Sequence, residues 1–370
     1  METATSIQGP QLSEIFDRET TTGIKGIALI CMFIHHLFTF PAWYVAGISY
    51  PGLAAFARLF QEPFRICVPV FAFLTGYSYQ FGRRADYRYS LRKITDVLLG
   101  YWAVYLPLLV IAKATGNYVL DIRAIVLELF GLKRPVMVFC WYVYFYIATM
   151  LLLPLLPCKT VGQGVLFGVA LPVFFQVFLL QIVDSLTLRE VITEVCSWFP
   201  CVAMGLICAR FSLFGRLDGG LRERISPAPL RALVVLAMML AAFLGRHFVQ
   251  CLTLHFTGPE ASVITVQVWM DVLYAPVFVY GAGKLVRRIG VLGLPLKQLG
   301  KYSLLMWFLH CIFFNVCKEL FQPILYLPGN PVLVLLWGLL LCYGVARIID
   351  LPLKWVLKQK NRLLFPEWKA

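Results

Sequence analysis

Gly23–Phe38 reads GIKGIALICMFIHHLF, and its reading decides the fold. A cation, Lys25, opens an apolar run, and two adjacent histidines, His35 and His36, follow about three turns further on. Apolar runs of this length read as membrane-spanning helix, where ionisable groups are costly unless they are paired or at work. A helix turns about 100° per residue, so eleven steps bring His36 back to within about 20° of the Lys25 face, roughly 16 Å along the axis. His35 points about 80° away from that face. Two readings stand side by side here. The histidines are a satisfied core pair, or a cation and an imidazole mark a substrate path.

Of the 370 residues, 60% are hydrophobic and 14% charged, with a mean hydropathy of +0.78. A soluble domain could not hide that much apolar surface beneath so few charges, so the expected fold is an all-α, polytopic membrane helix bundle. The net charge of +14 does not point to nucleic acid, because the basic residues sit in short loops between apolar runs, where they set topology. Residues 1–20 include Glu14, Asp17, Arg18 and Glu19, which is not the basic start of a signal peptide, so the first helix is expected to remain in the mature protein. The eleven cysteines form no CxxC pair and no Cys/His cluster with zinc spacing. They read as small apolar residues of helix interfaces, and no metal is expected.

Ten spans are expected, at 23–41, 63–81, 94–113, 136–156, 163–183, 190–209, 230–249, 263–285, 301–321 and 331–354, within a membrane domain of 23–356. A polar N-terminal segment (1–22) precedes it and a basic tail (357–370) follows. Of the 33 Lys and Arg, the alternate loops and both termini hold 23, among them Arg83, Arg84, Arg88, Arg92 and Lys93. Nine, Arg246 among them, are assigned to the opposite side, in the intervening loops or the span ends next to them, and Arg347 lies within a span. This bias places both termini in the cytoplasm. The stretch Asp121–Leu132 is amphipathic and is expected to lie at the interface.

Several groups carry chemistry. Arg88 and Arg92 share a helix face at i, i+4, with Lys93 beside them; the cluster serves topology or holds a polyanion such as a pyrophosphate. Ser303 and His310, seven residues apart, share a face of the ninth span, and His310 falls at a depth comparable to His36. Asp271 within the eighth span orients a histidine or pairs with Arg347. Glu62 and Arg65 flank Pro63 as an interfacial ion pair. The Gly281-x-Gly283-Lys284 run lacks the spacing and context of a phosphate loop.

In order along the chain, these landmarks resemble the integral-membrane acyltransferase type three family, bacterial O-acyltransferases of surface sugars and glycolipids. The family's Arg, ten residues, then His stands here as Lys25 and His36. Its second-helix segment stands as Phe73-Leu74-Thr75-Gly76-Tyr77, and the basic entry to its third helix as Arg88, Arg92 and Lys93. Its late-helix motif stands as Leu299-Gly300, then Ser303, Trp307 and His310. Lys replaces Arg at position 25, and Thr22 stands where the family carries Asp. The resemblance implies a multi-pass protein of the bacterial plasma membrane that transfers an acyl group, usually acetyl from cytoplasmic acetyl-CoA, to a carbohydrate or glycolipid hydroxyl. It implies donor contacts from Lys25, Arg88, Arg92 and Lys93, a catalytic His36, and supporting roles for His310 and Ser303. A proton-coupled transporter and an inactive scaffold relative are the alternative readings.

Overall fold

The computed structural model describes residues 16–45, 47–82, 86–257 and 263–366. Arg83, Arg84, most of the N-terminal segment and the last four residues of the tail lie outside them. The helices are α1 (Arg18–Phe38), α2 (Leu53–Phe64), α3 (Cys67–Tyr79), α4 (Tyr87–Ala114), α5 (Ile122–Glu128), α6 (Trp141–Leu152), α7 (Val161–Val165), α8 (Leu171–Ile182), α9 (Leu186–Arg210), α10 (Leu213–Arg224), α11 (Ala228–Thr257), α12 (Val263–Arg288), α13 (Leu294–Lys301), α14 (Ser303–His310), α15 (Lys318–Leu325) and α16 (Pro331–Leu364). No strand occurs among the described residues. Among the described residues, six helices are long and apolar enough to cross a membrane, and a seventh crossing is added if the bent pair around His310 counts as one. Leu240, Phe248, Phe174 and Ile182, on α11 and α8, are exposed, as a surface bathed in lipid requires.

α1 begins five residues ahead of the apolar run, because Asp17 caps it by accepting from the Thr20 amide at 2.7 Å. It is the central helix of the bundle, packing on α3, α12 and α13. Glycine sets two of its closest neighbours. A Cβ on Gly300 of α13 would lie 2.8 Å from the Thr22 carbonyl carbon and 3.0 Å from the Gly26 amide nitrogen, so these two backbones touch. Gly76 of α3 and Gly205 of α9 make the same kind of crossing, each against the other helix's backbone. Close packing of small residues supplies in lipid the association that water would otherwise drive.

The start of α1, the start of α4 and the end of α16 meet at one end of the bundle. Glu19 pairs with Lys297 at 2.6 Å, Arg92 donates to Asn361 at 3.3 Å, and Lys360 pairs with Asp96. Lys25 of α1 and Lys93 and Asp96 of α4 line one cavity there.

Three expectations change. The ninth span, read as one helix over 301–321, breaks after His310: a 3-10 turn at Cys311–Phe313 leads into α15, bent by 111°. Asn315 holds the break, donating to the Val136 carbonyl at 2.6 Å and accepting from the Cys317 amide at 2.9 Å. Asp271 pairs with Arg246, not with Arg347, whose guanidinium lies 6.0 Å from the Tyr343 ring centre. Arg246, within the expected span 230–249 and assigned to its outer end, is buried between Asp271 and Glu62, so Glu62 joins a larger network than its 3.7 Å pair with Arg65. A charge this far from water is tolerated only with such partners.

Candidate active site

His36 and His310 meet. The Nε2 of His310 lies 2.9 Å from the Nδ1 of His36, and the rings stack with centres 4.8 Å apart. Both are buried, His310 almost completely. The hydrogen bonds assign the tautomers. A backbone carbonyl only accepts, so the Nδ1 of His310 carries a proton and donates it to the Trp307 oxygen. With His310 neutral, its Nε2 then accepts from the Nδ1–H of His36. The lone pair of a neutral His36 is therefore on Nε2, which has no hydrogen-bond partner among the described residues. His310 thus fixes the orientation of His36, whose Nε2 is left unengaged.

His35 is turned elsewhere, as its helical phase requires. Its Nδ1 lies 3.4 Å from the Thr39 hydroxyl, and its ring packs edge-on against Phe40. Phe139 covers the imidazole pair, stacked on His36 at 4.0 Å and on His310 at 5.4 Å between centres. It comes from the irregular stretch just before α6, where no periodic pattern marks a buried residue. Sequence reading missed it for that reason.

The buried side chain of Gln322 ties three segments together. Its Nε2 donates to the carbonyls of Trp43 (3.0 Å) and Phe313 (2.8 Å), and its Oε1 accepts from the Val45 amide (2.8 Å). The loop leaving His36 and the turn leaving His310 are thus held by one amide. This residue, too, has no local sequence signal.

Towards the other end, Lys25, Lys93, Thr75, Tyr142, Ser303 and Trp307 line a cavity of about 300 Å³. Neither His36 nor His310 lines it. The Trp307 ring stands between, facing the cavity on one side and lying 6.3 Å from the His310 ring centre on the other. Thus the two lysines and Ser303 are gathered at one compartment and the imidazoles sit one aromatic layer beyond it. Arg88 and Arg92, grouped with Lys93 by sequence, do not line the cavity. Arg88 is exposed, and Arg92 turns to Asn361 at the end of α16. Lys93 faces inward with its ammonium 5.7 Å from the Tyr89 ring centre. Of the three cations grouped by sequence, Lys93 is the one that lines this cavity.

The fold and the site together define a helical membrane protein with a buried imidazole pair beyond a cavity lined by two lysines. The acyltransferase 3 family model, described as an acyltransferase domain, matches residues 21–350. The chain belongs to that family and is a multi-pass membrane acyltransferase. No curated protein and no solved structure matches it.

Proposed function

We propose that this protein is a membrane O-acyltransferase that moves an acetyl group from cytoplasmic acetyl-CoA to a hydroxyl of a surface sugar, polysaccharide or lipid-linked glycan. The observation that carries this reading is the His36–His310 pair, oriented by the Trp307 carbonyl so that one imidazole nitrogen is left to accept a proton. A sugar hydroxyl needs such a base, and imidazole works near neutrality.

Lys25 and Lys93 hold the donor's phosphates as point charges, with the acyl arm running past Ser303 towards Trp307. The hydroxyl oxygen attacks the thioester carbon while the Nε2 of His36 takes its proton. The carbon–sulfur bond then breaks, His36 returns the proton to the leaving thiolate, and ester and free thiol result. A positioned base of this kind is worth about 10²–10⁴ in rate. Ser303, two turns ahead of His310, donates to the thioester oxygen as it gains charge. Arg88 and Arg92 stand at the same end of α4 as attractors for the donor's outer phosphates.

Ten crossings with both termini in the cytoplasm of a bacterial plasma membrane complete the reading. The meeting of the α1 start with the α16 end at one side of the bundle supports an even number. Reporter fusions after Arg84 and after Lys159 should both read cytoplasmic.

The decisive experiment uses purified full-length protein in detergent with labelled acetyl-CoA and a panel of glycan and lipid-linked acceptors. Transfer of label, lost in His36→Ala at normal abundance, is the expected result. Absence of donor binding by equilibrium dialysis would overturn the assignment.

A further inference from the structure

A groove of about 570 Å³ lies between α10, α11 and α12, apart from the cavity of Lys25 and Lys93. One part is basic, with Arg222, Arg231, Lys284 and Arg288 against a single carboxylate, Asp218. The other part is apolar, built from Leu233, Leu236 and Leu285, all exposed to the surroundings of the bundle.

Three of the four cations are held in place by protein groups. Arg231 spends one guanidinium nitrogen on the carbonyls of Ile225 (2.7 Å) and Ser226 (2.6 Å), which leaves its remaining N–H groups for another acceptor. Asp218 fixes two more: it pairs with Lys284, accepts from Arg222 at 2.9 Å, and accepts from the Tyr280 hydroxyl at 3.1 Å. Burial pushes the Asp218 carboxyl up, but Lys284, Tyr280 and Arg222 outweigh it and hold the group below the usual carboxylate range. It therefore stays ionised and organises the cations without cancelling them. Arg288, one turn beyond Lys284, is exposed and makes no ion pair among the described residues.

Topology accounts for cations near a membrane surface. It does not account for cations braced around a groove whose other wall is leucine. We propose that this groove binds one anionic phospholipid, its phosphate between Arg231, Lys284 and Arg288 and an acyl chain along Leu233, Leu236 and Leu285. The excess of positive charge selects an anionic head group, and the exposed leucines select a ligand that brings its own apolar tail. A free phosphate would leave that wall unused.

The site bears on the rest of the bundle through α12. Val286, between Lys284 and Arg288, packs onto α1 at Gly23, where an added Cβ would lie 2.6 Å from a Val286 methyl carbon. Lipid bridging α11 and α12 braces the contact that holds α1, two residues from Lys25.

The test uses the full chain, purified in neutral detergent and stripped of lipid, followed by native mass spectrometry and thermal melting. Phosphatidylglycerol should bind with one molecule retained and raise the melting temperature, whereas phosphatidylcholine with the same chains should not. The Arg231→Gln/Arg288→Gln variant should bind phosphatidylglycerol about 30-fold more weakly, the loss expected for two surface cations. Arg216→Gln/Arg224→Gln, in the same helical region but outside the groove, should bind as the parent does. If the Gln variant does not fold, Arg231→Lys/Arg288→Lys keeps the charge and should bind within a few-fold of the parent. Equal stabilisation by the two lipids, or undiminished binding by the Gln variant, would overturn the proposal. A melting shift from inorganic phosphate equal to that from the lipid would replace it with a simple phosphate site.

Discussion

Gly300→Ala probes whether the contact between α1 and α13 sets the distance between the two imidazoles. The new Cβ would lie 2.8 Å from the Thr22 carbonyl carbon, closer still to its oxygen, and 3.0 Å from the Gly26 amide, where ordinary contact begins at 3.4 Å. Its neighbours are backbone, so no side chain can swing aside. The helices must part by at least about 0.6 Å, and by more to clear the oxygen. α14 follows α13 directly and carries His310, so the 2.9 Å hydrogen bond to His36 lengthens with it. Overpacking of this kind costs about 1–3 kcal/mol of stability. A misplacement of about 1 Å at a reacting group costs on the order of 10² in rate, so a loss of at least about tenfold in kcat is expected. Gly219→Ala is the control: it lies in α10, where an added Cβ meets nothing within 4 Å, and should stabilise by about 0.5–1 kcal/mol. The assay is turnover of labelled acetyl-CoA alongside a thermal melt of both variants. Gly300→Ala with parental kcat and melting temperature would refute the reasoning, because the backbones would then have room that the structure denies them.

His36→Ala should abolish transfer at normal abundance with donor binding retained, while His35→Ala leaves much of the activity; the reverse ranking in the transfer assay would contradict the tautomer assignment. Lys25→Ala and Lys93→Ala should each raise the KM for acetyl-CoA more than Arg92→Ala does, since only the two lysines line the cavity; Lys25→Arg should retain most of the affinity. Phe71 lines the cavity and packs edge-on against Trp307 with ring centres 5.2 Å apart. Phe71→Ala should therefore improve kcat/KM for a butyryl donor relative to acetyl by about tenfold or more, and an unchanged ratio in a competition assay would show that this wall does not gauge acyl length.

Much was legible from one stretch and its echo. Hydropathy alone required an all-helical membrane bundle, because no other composition tolerates so few charges among so many apolar residues. Helical phase separated His36 from His35, since the angle between residues of one helix is a property of that helix alone. The same arithmetic paired Arg88 with Arg92 on α4 but could not say which face turns inward. The partners of buried charges also escaped it. Asp271 and Arg246 are 25 residues apart, Glu62 and Arg246 are 184 apart, and no periodicity links them. Nor could the sequence show that the ninth span breaks just past His310, that Phe139 covers the imidazoles, or that Gln322 ties the segments that follow them. Those are choices between packings rather than conformations of a segment. They are settled only when Gly26 meets Gly300 and Gly76 meets Gly205, because backbone contact fixes helix separation, and helix separation decides which side chains can touch.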